Sequence, residues 1–350
     1  MSLPDLQQAW PLPTRPRQIV LIGAGGIVQD AHLPAYRRAG FAVLGVHDID
    51  AGRAAALAQR WGIGTFASLA EAAAQDAVFD LATPPGAHLD VLRALPEGAT
   101  VLIQKPMGRD LAQASAILDL CRARRLTAAV NFQLRFSSMM LAVQDAVARG
   151  LLGEIVDVEV HLNLLTPWHL FPFLAHEQRV EIAVHSIHYL DFIRALLGNP
   201  HGVSARTLGH PRHGLAQTRT AAILDTRPGV RCVLSINHDH DFGRQFQDAA
   251  IRVEGASGAA RVKLGLLLDY PRGEPDELWI TTGGDWQQVP LAGGWFPDAF
   301  IGTMANLQRF AAGEDATLVS AVADAWHTMA LVEACFAAND APATPVQAAP

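Results

Sequence analysis

The chain has 350 residues, half of them hydrophobic and 17% charged, with a formal net charge of −7. That length allows two domains, each with its own core. The acidic balance excludes nucleic acid as the main partner, because a phosphate-tracking surface needs clustered Lys and Arg. The nearest such cluster, Arg122-Ala123-Arg124-Arg125, reads as the solvated end of a helix, where cations suit the dipole. Cys121, Cys232 and Cys335 are widely separated and form no CxxC pair, so neither a disulfide framework nor a zinc module is expected. No apolar run is long enough to span a bilayer, and no apolar h-region marks a signal peptide. The expectation is a soluble, cytoplasmic protein with no membrane partner.

Residues 1–16 form a Pro-rich arm. From Gln18 onward, short apolar runs alternate with helical patterns. Ile19-Val20-Leu21-Ile22 reads as a buried strand that runs into Gly23-Ala24-Gly25-Gly26-Ile27 and a helix. Residues 41–48 are a second strand, 51–59 a helix closed by Gly62 and Gly64, and Ser68-Leu69-Ala70-Glu71 a capping box that opens another helix. Residues 78–82, 101–103 and 127–132 are further continuous apolar strands. This alternation predicts an α/β class, with a doubly wound parallel sheet of Rossmann type over residues 17–136.

The pattern changes near Ser137. A helix over 138–148 ends at Gly150, and residues 155–164 then alternate. Val156, Val158, Val160 and Leu162 take one face; Asp157, Glu159, His161 and Asn163 take the other. Similar runs at 218–225, 230–237, 249–254, 260–267 and around 278–281 predict an α+β domain over 137–338. Its sheet is mainly antiparallel, with helices on one face. Helical patterns at 299–310 and 318–337 close the domain and are free to pack back on the first one. Residues 339–350 are a low-complexity tail.

Glycines at 23, 25 and 26, between a strand and a helix, permit a tight turn and let backbone amides approach a pyrophosphate. Val28 occupies the place of the third glycine of GxGxxG, and glycines of a purely structural turn would look the same. Asp48 ends the next strand, where an acid binds the adenosine ribose hydroxyls; a helix-capping acid fits the same position. Its neighbour is Ile49 and not an Arg or Lys that would accept a 2′-phosphate. NAD is therefore favoured over NADP, and Arg53, a turn later, keeps NADP as the lesser alternative.

Further residues give the chain a resemblance to the Gfo/Idh/MocA family (glucose–fructose oxidoreductase, inositol dehydrogenase, rhizopine catabolism) over residues 18–338. The landmarks are Gly23-Ala24-Gly25-Gly26-Ile27, Ala82-Thr83-Pro84-Pro85 with His88, Gln104-Lys105-Pro106, Asn131-Phe132 with Arg135-Phe136, and His188-Tyr189-Leu190-Asp191. Their order and spacing are jointly specific. The resemblance implies that Ile27, Ile49, Thr83, Pro84, Pro85, His88, Gln104, Lys105 and Asn131 join the glycines and Asp48 around the cofactor. It implies that Lys105 reaches the substrate hydroxyl beside the nicotinamide. It also implies a homodimer or homotetramer whose sheets pack face to face. Two positions depart from the family pattern. Gln104 stands where Glu is usual, keeping hydrogen bonding and losing charge. Val184 stands four residues before His188, where the family places an Asp that serves proton transfer.

Glu181, His185, His188 and Asp191 recur at four, three and three, so on a helix they share one face. They read as a polar strip lining the substrate pocket, with His188 as acid and base because imidazole titrates near neutrality. Satisfied polar groups packed on the sheet are one alternative, and a Zn²⁺ or Mn²⁺ site is another. Hydride chemistry with Lys105 requires no metal, so none is expected. Arg135 and Trp168 complete the expected substrate set. The stretch Trp168-His169-Leu170-Phe171-Pro172-Phe173 is either a loop over the site or plain packing. His161, His169, His176, His238 and His240 are scattered.

The expected enzyme is an NAD-dependent dehydrogenase or reductase acting on a secondary alcohol or ketone of a sugar, polyol or sugar acid. One alternative is an NAD-requiring enzyme without net redox, of glycosidase or epimerase type. The other, suggested by Gln104 and Val184, is a non-catalytic dinucleotide-binding sensor.

Overall fold

Continuous Val/Ile/Leu runs bury both faces of a strand, which a parallel sheet between helices provides. The computed structural model describes residues 3–347 apart from Pro172, Phe173, Ala175, His176 and Gln178. In it β1 (Ile19–Ile22), β2 (Val43–His47), β3 (Gly64–Thr65), β4 (Val78–Leu81), β5 (Thr100–Ile103) and β6 (Thr127–Val130) form one sheet. Their order is β3-β2-β1-β4-β5-β6, and every pairing is parallel. Strand order reverses between β1 and β4, the place where a doubly wound sheet opens a ligand crevice. The connecting helices are α1 (Leu33–Ala39), α2 (Ala51–Trp61), α3 (Leu69–Ala73), α4 (His88–Ala94) and α5 (Leu111–Ala123). At the start of α3, Ser68 Oγ accepts from Glu71 N at 3.1 Å, and the Glu71 carboxylate accepts from Ala67 N at 2.7 Å. The cap predicted from the sequence is present, with its return bond one residue early.

After α6 (Ser138–Ala148) comes a second sheet made of β7 (Ile155–Asn163), β8 (Gly202–Leu208), β9 (Arg219–Asp225), β10 (Arg231–Asn237), β11 (Asp248–Gly255), β12 (Ala259–Lys263), β13 (Glu277–Thr281) and β14 (Gln287–Val289). Its order is β14-β13-β12-β11-β7-β10-β9-β8. All neighbours are antiparallel except β7 and β10, which run parallel. Between β7 and β8 the chain forms a π-helical segment (Glu181–Ser186) that continues directly into α7 (Ile187–Leu197).

One face assignment is corrected. Val158, Val160 and Leu162 point into the core as expected, but Val156 is 43% exposed. A register shift pairs Gly255 with Ile155 and Glu254 with Asp157, so Ile155 turns inward in place of Val156. Strand β8 was not anticipated: its inward residues include Ala205 and Thr207, too small or polar to stand out as a hydrophobic alternation.

The last two helices are α8 (Ala299–Ala311) and α9 (Val322–Asp340). α8 returns to the first sheet, where Phe300, Met304, Ala305 and Leu307 share a core with Ile19, Leu21 and Val46. α9 starts four residues later than its periodicity suggests, because Ala321 is extended and bridges to Ala129 beside β6. The arm also packs down: Trp10 stands edge-on to Phe136 at 5.3 Å and donates from Nε1 to Asp315 at 2.8 Å.

A buried ionic network ties the segment after β6 to α7 and α9. Arg135 Nη2 donates to Asp191 Oδ1 at 2.7 Å and to Asp324 Oδ2 at 2.8 Å, and its Nε also donates to Asp191. Thr328 donates to Asp191 at 2.8 Å, and Arg194 donates to Thr328 at 2.6 Å and to Asp324 at 2.9 Å. Asp191 is wholly buried and Arg135 nearly so. Asp191→Ala leaves the Arg135 charge buried without its chief partner, and a destabilisation of about 3–5 kcal/mol is expected. Urea unfolding measures it; a loss under about 1 kcal/mol would show that the network does not weld these elements.

Candidate active site

The nucleotide end is built on the β1 turn. Gly23 has φ of +109°, and a Cβ there would lie 2.5 Å from Ala82 O, so the loops after β1 and β4 touch backbone to backbone. Only glycine meets both conditions. Gly25 differs: a Cβ there would meet nothing within 4 Å, which leaves open space beside the first turn of the helix that starts at Gly26. The first-turn amides of a helix lack intrahelical partners and suit an anion.

Asp48 ties the two loops together. Its Oδ2 accepts from Ala24 N at 2.8 Å and its Oδ1 from Asp50 N at 2.8 Å. A carboxylate oxygen has a second lone pair, so each can still accept from a ribose hydroxyl. Arg53 reaches Asp48 only at 4.0 Å and leans toward Asp50, while Ile49 is fully exposed. An NAD molecule fits these residues: open space at Gly25, and an acid beside a neutral side chain at the ribose position.

The remaining positions expected around the cofactor divide into two groups. His88 is fully buried, and its Nε2 bonds the Thr83 carbonyl at 3.1 Å. Burial pulls its imidazole down to about 4, against the Thr83 bond, so it is a neutral prop for the Thr83-Pro84-Pro85 loop. Asn131 is also fully buried; its Nδ2 donates to Gln104 Oε1 at 3.0 Å, and its Oδ1 accepts from Thr303 Oγ1 at 2.9 Å. Asn131 therefore orients Gln104 from behind. The amide chain Gln104–Asn131–Thr303 is satisfied without charge, which explains how Gln is accommodated at position 104.

Lys105 follows β5, and its Nζ donates to the main-chain carbonyl of Val184 at 2.9 Å. Part of the side chain is open, yet protein surrounds its ammonium closely enough that burial brings the pKa from 10.5 to about 8. Among the described residues no carboxylate pairs with it. His185 and His188 lie close enough to feel its charge. Burial first, and then His238 and Lys105, hold His185 well below the ordinary imidazole range. Burial, then Lys105 and His185, do the same to His188. His188 is framed edge-on by Trp295 at 5.7 Å and Phe132 at 6.5 Å between centroids.

The polar strip expected over 181–191 is divided by the fold. Residues 181–186 are π-helical, so Ser186 lies under Glu181 at the i,i+5 spacing and donates to its Oε1 at 2.5 Å. Glu181 is fully buried against His238, with its Oε1 at 3.6 Å from His238 Nε2. Asp191 faces Arg135 in the network already described. Assigning Arg135, Asp191 and Glu181 to direct substrate contact is corrected on that ground, because each is turned inward onto protein partners. His185, His188 and Lys105 remain together. The four residues do not gather as ligands to one ion. Among the described residues the group that does gather, His210, His213 and Asp239, is internally bonded: His213 Nε2 to Asp239 Oδ1 is 2.8 Å, and Thr218 Oγ1 to Asp239 Oδ2 is 2.5 Å.

Trp168 lies beside the imidazoles, 5.7 Å from His185 and 5.6 Å from His238 between centroids, with Nε1 donating to Asp239 at 3.2 Å. Of the aromatic stretch, Pro172 and Phe173 lie outside the described residues, as does His176. His238 was read as scattered, yet the structure brings it to the centre of the imidazole cluster. The available signal was Asn237-His238-Asp239-His240, a polar run at the end of an otherwise alternating strand.

This geometry agrees with similarity across the chain. An oxidoreductase-family profile with an NAD-binding Rossmann fold matches residues 17–132, and the Gfo/Idh/MocA C-terminal domain profile matches 140–261. The chain belongs to the Gfo/Idh/MocA oxidoreductase family. It is 29% identical over 269 residues to an inositol 2-dehydrogenase of Leifsonia xyli, covering 71% of this chain and 77% of that one. It is 27% identical over 335 residues to a D-apiose dehydrogenase of Paraburkholderia graminis, covering 90% and 86%. An oxidoreductase from Agrobacterium radiobacter, solved with NAD⁺, L-tartaric acid and magnesium, shares the fold with a TM-score of 0.78. It is 20% identical and covers 93% of this chain and 96% of its own. Among the described residues no helix is long and apolar enough to cross a membrane.

Lys105 gives a stability prediction. Its folded pKa of about 8 lies below its ordinary 10.5, so between those values the unfolded chain holds the extra proton. Stability then rises with pH across that window, and below about 8 the buried charge costs stability. Lys105→Met is expected to stabilise the fold by about 1–3 kcal/mol at pH 7, the gain fading toward pH 10.5. Thermal unfolding at pH 7 and pH 10.5 checks it; a lower melting temperature at pH 7 would show the ammonium to be fully compensated.

Proposed function

We propose that this enzyme catalyses reversible hydride transfer between NAD and a secondary carbinol of a sugar, polyol or sugar acid. The observation that carries the reading is the buried Lys105 ammonium beside two imidazoles kept neutral, at the end of β5. Bound NAD⁺ supplies the hydride acceptor for the carbinol carbon. Lys105 donates a hydrogen bond to the substrate oxygen and stabilises its developing negative charge. His188, neutral at working pH, accepts the hydroxyl proton and returns it in the reverse direction. Trp168 and Trp295 supply apolar walls for a sugar ring. The polyol and sugar dehydrogenase activities of the relatives support this substrate class.

We further propose a cytoplasmic enzyme, a homodimer or homotetramer built through the outer face of the second sheet. Three buried free cysteines and the exposed Leu208 and Ile223 on β8 and β9 support this. Light scattering at micromolar concentration should report at least a dimer, and a monomer would count against it.

NAD(H) should bind more tightly than NADP(H), since Asp48 repels a 2′-phosphate and Ile49 offers it no partner. Calorimetric titration with both cofactors reads this directly, and equal or tighter NADP binding would refute the role of Asp48. Lys105→Ala should abolish turnover in a screen of sugars and polyols while leaving NAD affinity within a few-fold. His188→Ala should lower the rate by about 10²–10⁴-fold. Near-normal turnover by Lys105→Ala on a verified substrate would sink the mechanism.

A further inference from the structure

Trp168 is half-buried and opens only a single helical turn, Trp168–Leu170, so something outside that turn must fix the plane of its ring. The main chain leading to it is held by the end of β10. Thr166 N donates to His238 O at 3.0 Å, and Leu165 bridges antiparallel to Asp239. The ring itself is held by Asp239, a buried acid that the mechanism above leaves unused. Asp239 Oδ1 accepts from Trp168 Nε1 at 3.2 Å and from His213 Nε2 at 2.8 Å, and its Oδ2 accepts from Thr218 Oγ1 at 2.5 Å. Leu215 N donates to His213 Nδ1 at 3.3 Å, so the hydrogen of the neutral ring sits on Nε2, where Asp239 accepts it. Asp239 N in turn donates to Asn237 Oδ1 at 3.0 Å. Burial raises the Asp239 carboxyl, and the bonds from Thr218, His213 and Trp168 outweigh it, holding the group below its ordinary range.

We propose that Asp239 is the positioning residue that aims the Trp168 ring at the substrate, and that the turn between β8 and β9, through His213, forms the rim of the same pocket. The proposal rests on the hydride-transfer reading, in which Trp168 is a wall for the sugar. The path to the chemistry is short: Trp168 stands edge-on to His185, and His185 feels the charge of Lys105. His213 lies 6.5 Å from the same indole between centroids. The turn is tied down a second time by Arg212, whose guanidinium lies 3.7 Å from Asp241 and 5.3 Å from the Phe242 ring. An indole that offers a face to a ligand, with no packing on that side, is free to swing about its two side-chain torsions. A bond from Nε1 to a fixed acceptor removes that freedom before the ligand arrives. Asp239 is such an acceptor, because both of its oxygens and its amide are themselves engaged. It touches no substrate and acts through Trp168. Stacking away from the reacting carbon is felt equally in the ground and transition states, so its loss falls on KM and not on kcat.

Asp239→Ala removes the acceptor, whereas Asp239→Asn keeps an oxygen for Trp168 and His213. On a sugar or polyol that the wild type turns over, Asp239→Ala should raise KM by about five- to tenfold, with kcat changed less than about twofold. Asp239→Asn should recover most of that loss. Trp168→Ala should raise KM at least as much, and adding Asp239→Ala to it should raise KM by less than about twofold more, because the acid acts through the ring. An acid present only for stability would leave KM unchanged, or add its full cost to that of Trp168→Ala, and either result would overturn the proposal. Should Asp239→Ala fail to fold, Trp168→Phe breaks the same bond from the other end, and an unchanged KM there would overturn it equally. Fluorine NMR of the full chain labelled with 5-fluorotryptophan gives a readout without turnover, the Trp168 line being assigned by its loss in Trp168→Phe. That line should shift or broaden in Asp239→Ala and keep its place in Asp239→Asn; an unmoved line in Asp239→Ala would also defeat the proposal. Full activity of Lys105→Ala alongside a moved Trp168 line would instead remove only the hydride-transfer mechanism.

Discussion

The site depends on one bond between domains, from Lys105 Nζ to the carbonyl of Val184. A lysine at the end of a parallel strand would ordinarily reach solvent or an acid. Here it is met by main chain, and main chain holds an ammonium in place without neutralising it. The charge therefore stays expensive, the pKa falls toward neutrality, and the group becomes able to give and take a proton in the physiological range. A carboxylate at position 184 would have raised that pKa. Val184 thus changes the electrostatics of the site without removing the contact that positions Lys105.

The same economy of charge extends through the neighbourhood. Gln104, Asn131 and Thr303 form an uncharged hydrogen-bonded chain, and His88 props the Thr83 loop as a neutral ring. The acids of this region are engaged elsewhere: Asp191 with Arg135, and Glu181 with Ser186 and His238. Buried polar atoms left unpaired cost about 1–3 kcal/mol each, and several lie in the imidazole cluster. A fold tolerates that expense most readily where the groups act on a ligand or a proton.

Much of this was legible in the sequence, and the exceptions have physical causes. Both sheets, the β1 turn and α6 could be read because continuous and alternating apolar runs report burial directly. Val156 was misplaced because a bulge breaks the period of two, and period counting cannot see one. The 181–191 strip was misread for a similar reason. Its spacing was judged on a turn of 3.6 residues, whereas the first six residues wind more loosely and place Ser186 beneath Glu181. Arg135 and Asp191 were recognisable as important by type, but their partners Asp324 and Thr328 lie far along the chain, and only folding brings them together. His238 carries only the polar run at the end of its strand as a signal, because its neighbours Glu181 and His185 lie far along the chain.

The π-helical segment explains how these features coexist. Lys105 leaves the C-terminal end of β5, and His238 leaves the C-terminal end of β10 in the other sheet. The segment 181–186 must serve both, giving the Val184 carbonyl to one and the Glu181 and His185 side chains to the other. In an α-helix, residues 181 and 185 would stack on a single face, and the two histidines with Asp191 would continue along it. In the π-helical segment Glu181 meets Ser186 and His238, while α7 resumes ordinary winding at Ile187 and carries His188 toward Phe132 and Trp295. The segment therefore hands Lys105 a carbonyl and keeps its one acid bonded to Ser186, so the ammonium is positioned without being neutralised.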